Sequence, residues 1–266
     1  MNRVVVTGLG VVSPVGNDIG TFWEHITSGV CGIDVITRFD TTDYKVKIAA
    51  EVKDFDPLLY MEKNDARRND LFAQYALAAA AQAMEDSGLQ GRIAPERLGV
   101  YLGSGVGGIQ TFATECGKLL AHGPRKISPF FVPMMISNIA AGGVAIQHGA
   151  QGPCLPVVTA CATSSHAIGE AFRTIKHGYA DAIIAGGAEA AITPLSIGGF
   201  TNCMALSTRN QPLDSSIPFD RRRDGFVMGE GAGVVILEAY DHAIKRGAHL
   251  YAEVKGYGNT CDAYHI

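Results

Sequence analysis

In the stretch Val157-Val158-Thr159-Ala160-Cys161-Ala162-Thr163-Ser164-Ser165-His166, a β-branched run stops against a cysteine and gives way at once to small and hydroxyl-bearing residues. Residues 156–159 predict a short strand, and a helix is expected from about Ala162 to His177, so the chain turns sharply from strand to helix at Cys161. A sulfur at a helix N-terminus lies where the macrodipole and the free amides of the first turn stabilise a thiolate, the form that attacks carbonyl carbons. Ala160 and Ala162 leave room for a thioester. The small face of the helix, with Ala162, Ala167 and Ala171, suits close packing on a core. The same residues also fit a buried, inert cysteine, the commoner fate of a thiol. His166 lies further along the same helix, on a different side from the sulfur, and reads as a core or supporting histidine rather than a base.

Outward from this turn the pattern repeats. Short apolar runs predict strands at residues 4–7, 98–102, 182–185 and 231–237, with one more beginning within 250–257. Helices are expected at residues 21–28, closed by Gly29, and from a cap at Asn64 or Asp65 to Gly88, with Leu71, Phe72, Tyr75, Ala79 and Ala83 on one face. Two more are expected, one ending near Leu120 and one over residues 134–147. Strands alternating with helices indicate an α/β chain whose mostly parallel sheet carries helices on both faces.

Composition narrows the function classes. A chain of 266 residues that is 47% hydrophobic can bury a large core, as one big α/β domain or two smaller ones. No apolar run reaches the length of a membrane span. Met1-Asn2-Arg3 before Val4-Val5-Val6 lacks the features of a secretory leader, so a cytoplasmic protein is expected. Cys31, Cys116, Cys154, Cys161, Cys203 and Cys261 form neither CxxC pairs nor zinc-ligand spacings, so reduced thiols are expected and no metal. A net charge of −4 argues against broad nucleic-acid binding, and any basic patch must be local.

Gly103-Ser104-Gly105-Val106-Gly107-Gly108 fits GxGxxG between a strand and a helix, which suggests a dinucleotide site. The acidic residue that should end the next strand is missing, because His122-Gly123-Pro124-Arg125-Lys126 stands in that region. A glycine-rich turn that passes close to other backbone is the better reading, and no nucleotide cofactor is expected. The phosphate-loop and GxSxG patterns are absent.

Thr159-Ala160-Cys161-Ala162-Thr163-Ser164 is accompanied by Arg125-Lys126-Ile127-Ser128-Pro129-Phe130-Phe131 upstream. Downstream follow Ala185-Gly186-Gly187-Ala188-Glu189, Ala205-Leu206-Ser207-Thr208-Arg209-Asn210 and Asp224-Gly225-Phe226-Val227-Met228-Gly229-Glu230-Gly231-Ala232-Gly233. In order and spacing this set resembles the β-ketoacyl-acyl carrier protein synthases of the elongating type II kind. The opening Val5-Val6-Thr7-Gly8-Leu9-Gly10 and the closing Asp262-Ala263-Tyr264-His265 are similar too.

The resemblance implies a thiolase-like fold of two related halves. Residues 1–249 would be the first half, carrying the nucleophile, and 250–266 the start of the second. It implies an acyltransferase working by decarboxylative Claisen condensation in fatty acid elongation, with the acyl group held on Cys161 and malonyl-acyl carrier protein as extender. The family's two histidines and a lysine, which serve decarboxylation and the enolate, would follow Ile266, as would the loop that completes its oxyanion hole.

Val106, Phe131 and Phe200 match positions that line the family's acyl pocket, Phe131 from the other subunit of a homodimer. Lys63, Arg67, Arg68, Arg125 and Lys126 match its docking surface for acyl carrier protein, an acidic partner that delivers substrates on a phosphopantetheine arm. Lys63, Arg67 and Arg68 are expected to open the long helix, where positive charge opposes the dipole and contributes nothing to stability. Met204 stands where relatives carry another basic residue. No cofactor, metal, nucleic acid or membrane partner is implied. The competing readings are an NAD-dependent aldehyde dehydrogenase working through a thioester, a noncatalytic synthase partner such as a chain-length factor, and a truncated chain that assists a complete synthase.

Overall fold

The computed structural model describes residues 1–264; His265 of the closing motif lies outside the described residues. Strands β1 (Val4–Val12), β4 (Leu98–Gly103), β5 (Ala182–Glu189), β6 (Gly231–Ala239) and β7 (Ala252–Val254) form one sheet in the order β4-β5-β6-β1-β7. The short strands β2 (Asp34–Val35) and β3 (Ile48–Ala49) pair apart from it. The helices are α1 (Ile19–Thr27), α2 (Lys63–Ala66), α3 (Leu71–Ser87), α4 (Ile109–His122), α5 (Phe131–Met135), α6 (Ile139–His148), α7 (Thr163–Lys176), α8 (Pro194–Asn202) and α9 (Tyr240–Lys245).

Strands β1, β4 and β5 run one way, the majority direction that the alternating pattern predicts, but the sheet is mixed. Among the strands of the described residues only β4 and β5 pair in parallel; β6 is antiparallel to both β5 and β1, and β7 is antiparallel to β1. The cause is the connection into β6. Gly231 begins that strand opposite Glu189, the last residue of β5, so no crossover returns the chain to the other end of the sheet before it re-enters.

Alternation along the strands feeds two cores. Val100, Leu102, Ile184, Val234 and Ile236 face α3 and α6, whereas Tyr101, Ile183, Ala185 and Leu237 face α7 through Ala167, Ala171, Phe172 and Ile175. The period of two sends successive side chains to opposite faces, and helices cover both, as expected. Helix α3 lies almost on the backbone of β1. A Cβ on Gly10 would stand 1.9 Å from the Ala79 carbonyl oxygen, and one on Gly8 would stand 2.2 Å from that of Ala83. The alanine-rich face of α3 and the two glycines of β1 are therefore one packing device.

Four local expectations are corrected. No strand forms at residues 156–159. Pairing with β4 ends at Leu155, after Val100 N–H bonds the Pro153 carbonyl and Leu155 N–H bonds the Val100 carbonyl; Pro156 follows with no N–H to continue the ladder. The long helix is capped by Asp70, not by Asn64 or Asp65. Its carboxylate accepts from Phe72 N–H at 3.4 Å and from the N–H and hydroxyl of Thr111 at 2.8 and 2.6 Å. Lys63 thus lies in the separate four-residue α2, with Arg67 and Arg68 beyond its end, and the argument from an opposed dipole fails for them.

The helix expected over 134–147 is broken into α5 and α6, because the Met135 carbonyl bonds Gly108 N–H at 3.0 Å and Ile136 is extended. Ala162 does not share the sheet-facing surface of Ala167 and Ala171. It sits in the turn before α7 and is exposed.

Candidate active site

Cys161 is the middle residue of a single 3₁₀ turn, Ala160–Ala162, that leads straight into α7. Ala160 has φ of 50°, a left-handed conformation that costs a non-glycine residue roughly 1–3 kcal/mol and is kept only where the surroundings impose it. Two hydrogen bonds close the turn: Ala162 N–H to the Thr159 carbonyl at 3.1 Å, and Thr159 N–H to the Thr163 hydroxyl at 2.8 Å. Cys161 itself is exposed. It stands one residue before the N-cap of α7, where the helix macrodipole favours negative charge.

Two glycines let this turn settle on the sheet. A Cβ on Gly103, the last residue of β4, would stand 2.1 Å from the Val157 carbonyl oxygen and 2.2 Å from Thr163 Cγ2. One on Gly187 of β5 would stand 2.3 Å from Ser164 Oγ. The thiol-bearing turn therefore lies at the carboxyl ends of the one parallel pair, the place where open α/β sheets present their ligand sites.

The glycine-rich loop after β4 is filled by a protein side chain. Glu189, at the end of β5, accepts at Oε2 from Gly105 N–H (2.7 Å) and Val106 N–H (3.3 Å), and at Oε1 from the Ser104 hydroxyl (2.8 Å). Ser104 Oγ in turn accepts from Gly107 N–H at 2.8 Å. Two amides that could have cradled a phosphate are bound to a carboxylate instead. Burial pushes the Glu189 carboxyl up, against the opposing pull of these three donors.

The expected pocket residues sit on different elements. Val106 is half-exposed on the Glu189-bound loop, Phe200 is half-exposed on α8 just after β5, and Phe131 begins α5. His166 packs edge to face on Tyr257, ring centroids 6.3 Å apart.

Lys63, Arg67, Arg68, Arg125 and Lys126 are all exposed, and none has an acidic partner among the described residues. The guanidinium of Arg68 lies over Phe130, which joins the α2 segment to the loop that carries Arg125 and Lys126. That loop is anchored from beneath by buried Glu115, which accepts from Ser128 N–H at 2.7 Å and from Lys118 Nζ at 2.6 Å. The Lys118 bond, then the Ser128 amide, holds the Glu115 carboxyl below its ordinary range. Neither Glu115 nor Glu189 is singled out by sequence reasoning. An acidic residue next to a helix or strand of small residues is a weak signal by itself.

The description "Beta-ketoacyl synthase, N-terminal domain" belongs to the family model that matches residues 1–243. The chain is 50% identical over 265 residues to 3-oxoacyl-[acyl-carrier-protein] synthase 2 of Staphylococcus aureus strain COL, covering 99% of this chain and 64% of that protein. It is 51% identical over 266 residues to the protein of the same name from Vibrio cholerae serotype O1, with the same coverage of each. The chain therefore spans about 64% of the length of these curated relatives.

Among solved structures, a β-ketoacyl synthase from Burkholderia phymatum STM815 superposes with a TM-score of 0.91 at 31% identity, over 100% of this chain and 66% of that one. A type II PKS acyl-carrier protein in complex with its ketosynthase, AntDE:AntF, superposes with a TM-score of 0.86 at 35% identity, over 100% and 65%.

Proposed function

The chain belongs to the β-ketoacyl synthase family, whose N-terminal domain it carries, and from that premise we propose that it acts as a β-ketoacyl-acyl carrier protein synthase in fatty acid elongation, with Cys161 as the acyl acceptor. The observation that carries the reading is the placement of Cys161: an exposed thiol on an imposed left-handed turn, ahead of α7 and at the carboxyl ends of β4 and β5. A noncatalytic partner has no need of such a nucleophile.

In the proposed reaction the Cys161 sulfur attacks the carbonyl carbon of an acyl thioester. The carbon–sulfur bond to the carrier arm breaks, and the carrier leaves as its thiol while the acyl group stays on Cys161. Malonyl carrier then loses carbon dioxide, and the resulting enolate carbon attacks the acyl carbon. The bond to Cys161 breaks and the thiol is regenerated. No histidine of this chain is assigned to decarboxylation. Val106, Phe131 and Phe200 would line the acyl pocket, Phe131 across a homodimer. Lys63, Arg67, Arg68, Arg125 and Lys126 would dock acyl carrier protein, whose phosphopantetheine arm brings both substrates without a bound cofactor. The cytoplasm is the proposed location, and among the described residues no helix is long and apolar enough to cross a membrane.

The test is peptide mapping after incubation with acyl-acyl carrier protein. Label is expected on Cys161 alone of the six cysteines. Label on Cys154 or Cys203 that persists in Cys161→Ala would sink the assignment.

A further inference from the structure

In the turn Gly103–Gly108 the proposed chemistry gives a task to Val106 alone, yet two of its backbone amides converge on one carboxylate. Glu189 takes the amides of Gly105 and Val106 and the hydroxyl of Ser104, while Ser104 holds Gly107. The geometry leaves no slack at Gly105. A Cβ there would stand 2.8 Å from Glu189 Oε2 and 3.8 Å from the Cα of Ala160. Both neighbours lie on the side where a Cβ would point: the carboxylate closely, and Ala160, the residue before Cys161 held at φ of 50°, at ordinary contact distance. Val106, one step along, presents a half-exposed side chain.

We propose that Glu189 is a positioning residue for acyl transfer: by binding the 104–106 backbone it sets the wall, Val106 included, against which an acyl chain lies when its carbonyl reaches Cys161. It touches neither substrate nor sulfur and acts through Ser104 and the backbone of Gly105 and Val106. A short acyl group needs little of this wall, whereas a long one is oriented along it, so the effect of loosening it grows with chain length. The inference rests on the reading of Cys161 as acyl acceptor.

The test compares the wild-type chain with Glu189→Gln and Glu189→Ala. Glutamine keeps a carbonyl oxygen for the two amides, and alanine removes every acceptor. Labelling rates at Cys161 are measured with short-chain and long-chain acyl-acyl carrier protein, and hydrogen exchange is followed at the amides of Gly105 and Val106. In Glu189→Ala the long-to-short rate ratio should fall by about tenfold, as expected when reacting groups are misplaced by a fraction of an ångström, and both amides should exchange faster. Glu189→Gln should stay within about twofold of wild type in the ratio, since orientation is retained.

An unchanged ratio in a folded Glu189→Ala would overturn the proposal. If that variant does not fold, Ser104→Ala, which removes one donor to the carboxylate, must shift the ratio the same way, and no shift there overturns it as well. A wild-type chain that takes no acyl group would instead remove the functional reading. Amide exchange would then still decide the positioning contact, and equal exchange in wild type and Glu189→Ala would refute it.

Discussion

The guanidinium of Arg68 lies 4.9 Å from the centroid of the Phe130 ring, so two basic segments far apart in the chain share one surface. Arg68 and its neighbour Arg67 sit at the end of α2, and Phe130 lies just past Arg125 and Lys126. A cation over an aromatic face is worth roughly 0.5–1 kcal/mol at an exposed site, enough to bias the two segments toward one arrangement without locking them.

Reversing three of these charges should separate charge from shape. Arg67→Glu, Arg68→Glu and Lys126→Glu together should weaken binding of acyl carrier protein by about tenfold at low salt, because complementary rim charges act on association. The deficit should shrink as salt rises, since exposed charges are screened over about 8 Å at physiological ionic strength. Titration calorimetry across ionic strength reads this directly. Equal affinity for the reversed and native surfaces would make the patch an ordinary solvated face.

Glu115 gives the opposite salt signature. Its carboxylate holds Ser128 N–H from beneath the loop proposed to dock the carrier and carries none of that loop's positive charge. Glu115→Ala should weaken carrier binding by about three- to tenfold, the equivalent of one net hydrogen bond. That loss should persist at high salt, because what is lost is loop order. A loss that vanishes with salt would assign Glu115 to the electrostatics instead.

A third prediction concerns acid stability. Glu238 is fully buried and accepts from Thr7 Oγ1 (2.8 Å), His242 Nδ1 (2.6 Å) and both Nε and Nη2 of Arg246 (2.7 Å each). Burial alone would raise its carboxyl. The bonds from Arg246, His242 and Thr7 outweigh that and hold it below the ordinary range. A carboxyl depressed in the folded state adds stability that is complete above its unfolded value, about 4.3, and is lost as pH falls through the folded value. Arg246→Met should cost about 3–5 kcal/mol at neutral pH by leaving a buried charge uncompensated. The difference from wild type should narrow in acid, where Glu238 is protonated in the variant. Urea unfolding over a pH series checks it, and a pH-independent gap would refute it.

Glycines at the Cys161 turn should not behave like glycines elsewhere. Gly103→Ala forces a methyl into the Val157 carbonyl and Thr163, so it should destabilise by about 1–3 kcal/mol and slow acylation of Cys161. Gly117, exposed within α4, has nothing within 4 Å of an added Cβ. Gly117→Ala should stabilise by roughly 0.8–1 kcal/mol through helix propensity. Thermal melts of the two variants that moved in the same direction would contradict the packing described here.

The sheet was legible where apolar runs are unbroken, as at Val100-Tyr101-Leu102 and Val234-Val235-Ile236-Leu237, because burial on both faces leaves no other reading. Val157-Val158 looked equally strand-like, yet the proline before them ends the ladder. Asp70 does not stand out as a cap, because Asn64 and Asp65 offer the same chemistry shortly upstream. Only the tertiary contact of Asp70 with Thr111 separates them. Cys161 stands out in its motif as the candidate acyl acceptor. The roles of Glu189 and Glu115 do not, because each arises when a carboxylate meets backbone amides of another loop, and a hydrogen bond to an amide leaves no trace in the identity of the residue that donates it.

The position of β1 bears on how the chain folds as it is made. This strand is made long before its partners, since Val4 pairs with Ala239 on one side and Val254 on the other. Both its edges therefore stay open until residues 239 and 254 have been made. Pairings of such long sequence separation form slowly, and unpaired strand edges are where nascent chains aggregate. Gly8 and Gly10, seated on the carbonyls of Ala83 and Ala79, give β1 a berth on α3 in the interval. That helix is the earliest long element of the chain, and a β1–α3 unit can shelter one face of the strand before its partners exist.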